Sequence, residues 1–180
     1  MGTTARDLLL QRFAWIDGHA DIWPVFRDPV AFDAVISELV EPFRTEVTAV
    51  CGIESRGFLL GGAAALRLGV GFIPVRKAAG IFPGEKTIRQ TAPDYRGIRH
   101  TLRIQRASLN PNDRVLLVDD WIETGSQALA VRELITAQNA HLTGCAVIVD
   151  QMGAHPVLGT VHALVTSDEL PPSTPSAQRP

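Results

Sequence analysis

The run Val115-Leu116-Leu117-Val118-Asp119-Asp120-Trp121-Ile122-Glu123-Thr124-Gly125-Ser126 constrains this chain more than any other segment. Asp113 to Val118 reads as a strand buried on both faces, the kind found in a parallel sheet covered by helices. It ends in two adjacent carboxylates, which repel each other and call for a shared partner. A turn with a glycine between two hydroxyls follows, and a helix is expected from Ser126 to Ala137. Strand, turn and helix in that order belong to an open α/β sheet, whose ligands sit beyond the carboxyl ends of the strands.

The rest of the chain keeps the same rhythm. Glu46 to Cys51 reads as a strand, Gly57 to Leu68 as a closely packing helix, and Gly71 to Val75 and Thr143 to Val149 as further strands. Strands alternating with helices at this spacing imply a parallel sheet with crossover helices, as one domain over residues 1–170. Two segments interrupt it. Lys77 to Arg99 holds Gly80, Pro83-Gly84 and Pro93 among basic residues, long for a structureless connection and therefore a candidate mobile loop. Phe13 to Pro29 holds Trp15, His19, Asp21 and Trp23 before a helix that opens at Pro29. The Pro-rich end, residues 171–180, is expected to be a flexible tail.

Composition narrows the function. The 180 residues carry a net charge of −2, so no global basic field invites a nucleic acid. The longest apolar run, Gly57 to Leu66, is about half the length a bilayer needs. Met1 to Leu10 lacks the apolar core of a secretory signal. Cys51 and Cys145 lie in apolar surroundings and read as buried free thiols of a cytoplasmic protein, with a disulfide the weaker alternative.

The turn at Thr124-Gly125-Ser126 suits an anion. A helix N-terminus offers unpaired N–H groups and a positive dipole end, Gly125 permits close approach, and two hydroxyls can donate. Asp119 and Asp120 want hydroxyls or a divalent ion. One ligand with a phosphate at one end and vicinal hydroxyls in the middle, such as a ribose 5-phosphate, meets both demands. The plainer alternative is an acidic turn with a hydroxyl N-cap.

Asp119 to Gln127 resembles the binding signature for 5-phosphoribosyl-1-pyrophosphate (PRPP) in the type I phosphoribosyltransferases. That signature has two acids, three variable positions, Thr-Gly, and usually Gly-Thr, where Ser126-Gln127 stands here. The likeness is strongest to the adenine phosphoribosyltransferases. Gly52-Ile53-Glu54-Ser55-Arg56-Gly57-Phe58 is similar to their Gly-Leu-Asp-Ser-Arg-Gly-Phe. Arg76-Lys77 with Phe82-Pro83-Gly84, Asp21-Ile22-Trp23-Pro24 and Asp28-Pro29 match in the same order. The resemblance implies a parallel-sheet core flanked by helices, a small N-terminal hood over residues 1–30 and a mobile catalytic loop over residues 77–99. It implies PRPP contacts from Ser55, Arg56, Arg76, Lys77, Asp119, Asp120, Thr124, Gly125, Ser126 and Gln127. It also implies Mg2+ beside Asp119 and Asp120, a purine-like base as acceptor, and a homodimer. Lys77, Lys86 and Arg89 could close over the pyrophosphate.

At the base the chain departs from that pattern. Adenine enzymes carry Phe-Arg where His19-Ala20 stand. Two carboxylates compete to take the proton from the base: Asp94, beside Tyr95, and Glu123, where adenine enzymes usually carry Ala and hypoxanthine-guanine enzymes an aspartate. Trp121, Ile122 and His19 are the candidate base contacts, and Trp121 or Trp23 could supply the stacking face or simply pack in the core. Two other uses of the fold stay open, a regulator that senses PRPP and a transferase for a non-purine acceptor. The N-terminal stretch shows no helix-turn-helix pattern or basic patch, which disfavours the regulator.

Overall fold

The computed structural model describes residues 2–78, 81–94, 96–155 and 157–172. Helix α1 (Ala5–Arg12) opens on a capping box between Thr4 and Asp7. A hairpin of β1 (Ala14–Ile16) and β2 (His19–Asp21) turns at Asp17-Gly18, where both residues have positive φ. Helices α2 (Trp23–Arg27) and α3 (Pro29–Val40) follow. Asp28 caps α3 by accepting from the N–H groups of Val30 and Ala31 at 2.9 and 3.2 Å, and its other oxygen holds Arg12 of α1.

The main sheet comprises β3 (Ala49–Ile53), β4 (Gly71–Lys77), β5 (Lys86–Gln90), β6 (Thr101–Gln105), β7 (Arg114–Ile122), β8 (His141–Asp150) and β9 (Thr160–Thr166), in the order β5-β6-β4-β3-β7-β8-β9. The run β4-β3-β7-β8-β9 is parallel, as expected, while β6 is antiparallel to both β4 and β5. The sheet is therefore mixed.

Side-chain alternation builds two cores. Val50, Leu116, Val118, Ala146 and Ile148 face α1, α3 and α4 (Arg56–Leu68), whereas Cys51, Val115, Leu117, Cys145 and Val147 face α5 (Ser126–Thr136). Cys51 and Cys145 both align with Leu117 of the intervening strand. Two strand spacings, about 9.5 Å, separate them, too far for a disulfide. Both are buried free thiols, and burial pushes them up, Cys145 to about 12.

The segment from Lys77 to Arg99 is not structureless, because β5 runs through it. Thr87 is buried and pairs with Ile104, and Arg89 lies 3.6 Å from Glu133 of α5. Lys86 turns back to the Gly84 carbonyl at 2.8 Å. Neither Lys86 nor Arg89 reaches the ligand cleft described below. Of the Pro-rich end, residues 173–180 lie outside the described residues, and the Pro171 carbonyl accepts from Trp15 Nε1 at 2.7 Å.

Candidate active site

The carboxyl ends of β3 and β7 and the starts of α4 and α5 enclose one end of a cleft of about 580 Å³. Close backbone packing supports the residues that line it. A Cβ on Gly52 would stand 1.9 Å from the Gly57 carbonyl oxygen, and one on Gly57 would stand 3.0 Å from Asp119 Oδ1. Only glycines let the Ile53–Arg56 loop lie against β7 this tightly.

Both helices that start at the cleft lack a side-chain cap. The N-caps are Ser55 for α4 and Gly125 for α5, and neither offers a side-chain acceptor to the first turn, unlike Thr4 and Asp28 elsewhere. Apart from the Ser126 N–H, which donates to Thr124 Oγ1 at 3.4 Å, their leading N–H groups have no side-chain acceptor and can serve an anion. Gly125 takes the left-handed conformation at φ +71, and Thr124 Oγ1 donates to Ser126 Oγ at 3.1 Å, so both hydroxyls gather at the start of α5.

Asp119 and Asp120 stand between the two helix starts. Arg56 Nη2 lies 3.0 Å from Asp120 Oδ2, a charge contact at an angle that makes no hydrogen bond, and that buried oxygen has no hydrogen-bond partner. An unsatisfied buried carboxylate oxygen fits a cation or a ligand hydroxyl. Among the described residues no group of three or more His, Cys, Asp or Glu could hold a metal. Two carboxylates suit Mg2+, which keeps waters and takes further oxygens from a phosphate ligand. Burial, then the Asp120 charge and hydrogen bond, pushes Asp119 well above the usual carboxylate range, while the Asp120 N–H and Lys77 pull it back.

The cleft is also lined by Trp15, His19 and Ala20 of the hood hairpin and by Asp94, Arg96, His100, Trp121, Glu123 and Gln151. The two carboxylates expected here differ in environment. Burial raises Asp94, but the N–H groups of Ile98 and Arg96 and the Arg96 and His100 side chains outweigh it and hold the acid low. Glu123 accepts no hydrogen bond among the described residues, and burial followed by the Asp94 charge pushes it up, with Arg96 opposing.

A family model described as the phosphoribosyl transferase domain matches residues 30–157. The chain belongs to the phosphoribosyltransferase family. It is 37% identical over 155 residues to the adenine phosphoribosyltransferase of Dinoroseobacter shibae, covering 82% of this chain and 85% of that one. The adenine phosphoribosyltransferase of Streptomyces coelicolor is 43% identical over 131 residues, 72% of this chain and 70% of that one. Among solved structures, the adenine phosphoribosyltransferase of Rhodothermus marinus superposes with a TM-score of 0.81 at 34% identity over 90% of this chain and 98% of that one. The Saccharomyces cerevisiae enzyme, complexed with adenine and an imino-altritol bisphosphate, gives 0.78 at 31% identity over 89% and 98%. The mixed sheet of seven strands flanked by helices is this family's fold.

Within this phosphoribosyltransferase fold, Ser55, Arg56, Lys77, Asp119, Asp120, Thr124, Gly125, Ser126 and Gln127 all line the cleft, as do Asp94, Trp121, Ile122, Glu123 and His19. Arg76 does not. Its guanidinium is held 3.0 Å from Glu54 Oε1 and donates to the Ile81 carbonyl at 2.8 Å, and Glu54 Oε2 accepts the Lys77 N–H at 3.0 Å. Arg76 thus braces the Glu54 loop from behind. Trp23 is 53% exposed, rests edge-on against Phe26 and lies outside the cleft. The aromatic that joins Trp121 is Trp15, whose ring meets it at 6.3 Å and 64°. Sequence reasoning passed over Trp15, Gln151, Arg96 and His100. Trp15 carried a usable signal, since it sits four residues before the His19-Ala20 pair of the hood. Tyr95 lies outside the described residues.

Proposed function

We propose that this enzyme transfers ribose 5-phosphate from PRPP to a ring nitrogen of a purine base and releases pyrophosphate. The observation that carries the reading is the pair of uncapped helix starts on either side of two strand-end carboxylates, one carboxylate oxygen being buried without a hydrogen-bond partner. In this reading the 5-phosphate takes the N–H groups and hydroxyls of Thr124 to Gln127, and the ribose hydroxyls face Asp119 and Asp120. Pyrophosphate takes the Ser55–Arg56 start of α4, with Lys77 beside it. Asp119 and Asp120 would hold Mg2+, which would supply positive charge against the pyrophosphate.

The C1–oxygen bond to pyrophosphate breaks as the C1–nitrogen bond to the base forms, and the base proton leaves to a carboxylate. Glu123 suits that role better than Asp94. Its raised affinity for a proton brings it nearer neutral pH, whereas four donations already occupy Asp94. Asp94 then orders the loop that borders the base. Residues 77–99 would close as a lid that excludes water. The enzyme is read as a cytoplasmic homodimer. Two buried free thiols suit a reducing compartment, and no helix among the described residues is long and apolar enough to cross a membrane.

The test is pyrophosphate release with PRPP, Mg2+ and a panel of purine and non-purine bases. Release with at least one purine supports the reading. PRPP binding without turnover of any base would make the protein a sensor, and turnover of a non-purine alone would move it to another acceptor class.

A further inference from the structure

We infer that Gln151 determines specificity for the base, presenting a fixed amide –NH2 that selects a purine carrying a carbonyl oxygen at the facing edge over one carrying an exocyclic amine. The inference rests on the transferase reading above and concerns the base end of the same site.

Topology places Gln151 there. In the sheet β7 lies between β3 and β8. The Ile53–Arg56 loop follows β3 on one flank of the Asp119–Asp120 pair, and Gln151 follows β8 on the other. A ligand centred on the carboxylates with its pyrophosphate toward α4 carries its base toward Gln151. The Gln151 N–H donates to the Ile122 carbonyl at 2.9 Å, which continues the β7–β8 ladder and sets this residue beside Glu123.

The Trp121 indole fixes the orientation of the amide. Trp121 Nε1 lies 2.9 Å from Gln151 Oε1. An indole N–H can only donate, so the amide group facing it must be the oxygen and the –NH2 must face away. Trp121 is itself held, edge-on to Trp15, which packs edge-on against Phe13. A glutamine side chain usually chooses its polarity to suit its ligand, and this one has that choice removed.

The neighbouring groups point the same way. Asp94 is occupied by Arg96, Ile98 and His100. Among the described residues Glu123 is the carboxylate lining this part of the cleft that accepts no hydrogen bond, and it is assigned to the ring N–H that must lose its proton. An exocyclic amine set against the Gln151 –NH2 would bring donor to donor and leave both without partners, while a carbonyl oxygen satisfies the donor.

The experiment measures kcat/KM with PRPP and Mg2+ for two pairs, hypoxanthine against adenine and guanine against 2,6-diaminopurine. It is run on the unaltered enzyme, Gln151→Leu and Trp121→Phe. The second variant keeps an aromatic ring, smaller than the indole, and removes the N–H that locks the amide. Expected is a preference of about ten- to hundredfold for the oxo member of each pair in the unaltered enzyme. Gln151→Leu should bring the ratio close to one, chiefly by raising KM for the oxo base. Trp121→Phe should narrow it by recovering the amino base, because the freed amide can turn. A preference for adenine, or a ratio that Gln151→Leu leaves unchanged, overturns the inference while pyrophosphate release upholds the transferase. Failure to convert any base overturns both.

Discussion

Replacing Gly52 and Gly57 separately by alanine distinguishes two ways of damaging the same loop. At Gly52 the new methyl would meet the Gly57 carbonyl oxygen at 1.9 Å and the carbonyl carbon at 2.6 Å. Carbon and oxygen ordinarily approach to about 3.3 Å, so the backbone of one segment must move by roughly 1.4 Å. Overpacking usually costs about 1–3 kcal/mol, and a backbone obstacle belongs at the top of that range. At about 2–4 °C per kcal/mol for a chain of this size, Tm should fall by roughly 6–12 °C. At Gly57 the contacts are Asp119 Oδ1 at 3.0 Å and two backbone atoms at 3.2 Å, so a few tenths of an ångström suffice. Alanine also gains up to about 1 kcal/mol of helix propensity at the start of α4. Gly57→Ala should therefore change stability by less than about 1 kcal/mol, yet push the Asp119 carboxylate off its position and weaken PRPP binding by about tenfold. Thermal unfolding and calorimetry with PRPP and Mg2+ measure the two effects. An unchanged Tm for Gly52→Ala, or full PRPP affinity in Gly57→Ala, would refute the packing argument.

Asp119→Asn should be more stable than the parent at neutral pH, by about 1 kcal/mol, while losing PRPP. Because folding raises the pKa of Asp119, the parent holds its full stability only at low pH and loses part of it as pH rises through the folded pKa, whereas the Asn variant lacks that loss. A thermal melt series from pH 4 to 8 shows whether the two curves diverge upward in pH, and parallel curves would contradict the burial argument. Glu123→Gln should lower kcat by about a hundredfold and flatten the acid limb of the pH–rate profile, since only the ionised acid can accept the base proton. An unchanged acid limb would return the role to Asp94. Protease cleavage between Lys77 and Arg99 should slow when PRPP and Mg2+ are added, with β5 itself resisting cleavage in both states. Equal rates at every bond would exclude a lid.

The parts of the fold legible in the sequence were those where one force acts alone. Val115 to Val118 is buried on both faces, so an unbroken apolar run marks β7, and the carboxylates that follow have no packing reason to be there. β5 was hidden because it lies at the sheet edge, with Thr87 buried and Ile88 half-exposed, so its alternation does not track polarity. β6 does alternate, Leu102 and Ile104 being buried between Thr101, Arg103 and Gln105, but it is only five residues long, and alternation within a strand says nothing about its antiparallel direction against β4 and β5. At the site, Asp119 to Gln127 is contiguous and reads directly. Gln151 gains its meaning only from Trp121, 30 positions away, and from strand order. Arg76 shows the reverse case, a residue whose type fits phosphate and whose position, once Glu54 pairs with it, braces the loop instead.

The central claim is that the Asp119–Asp120 pair and the two uncapped helix starts together form a PRPP site. Calorimetric titration of PRPP in the presence of Mg2+ tests it most directly, comparing the unaltered protein with the variant carrying both Asp119→Asn and Asp120→Asn. The account expects measurable binding by the unaltered protein, and none by the double variant although its circular dichroism and cooperative unfolding are retained. Undiminished affinity in the double variant, or no binding by the unaltered protein, would contradict it.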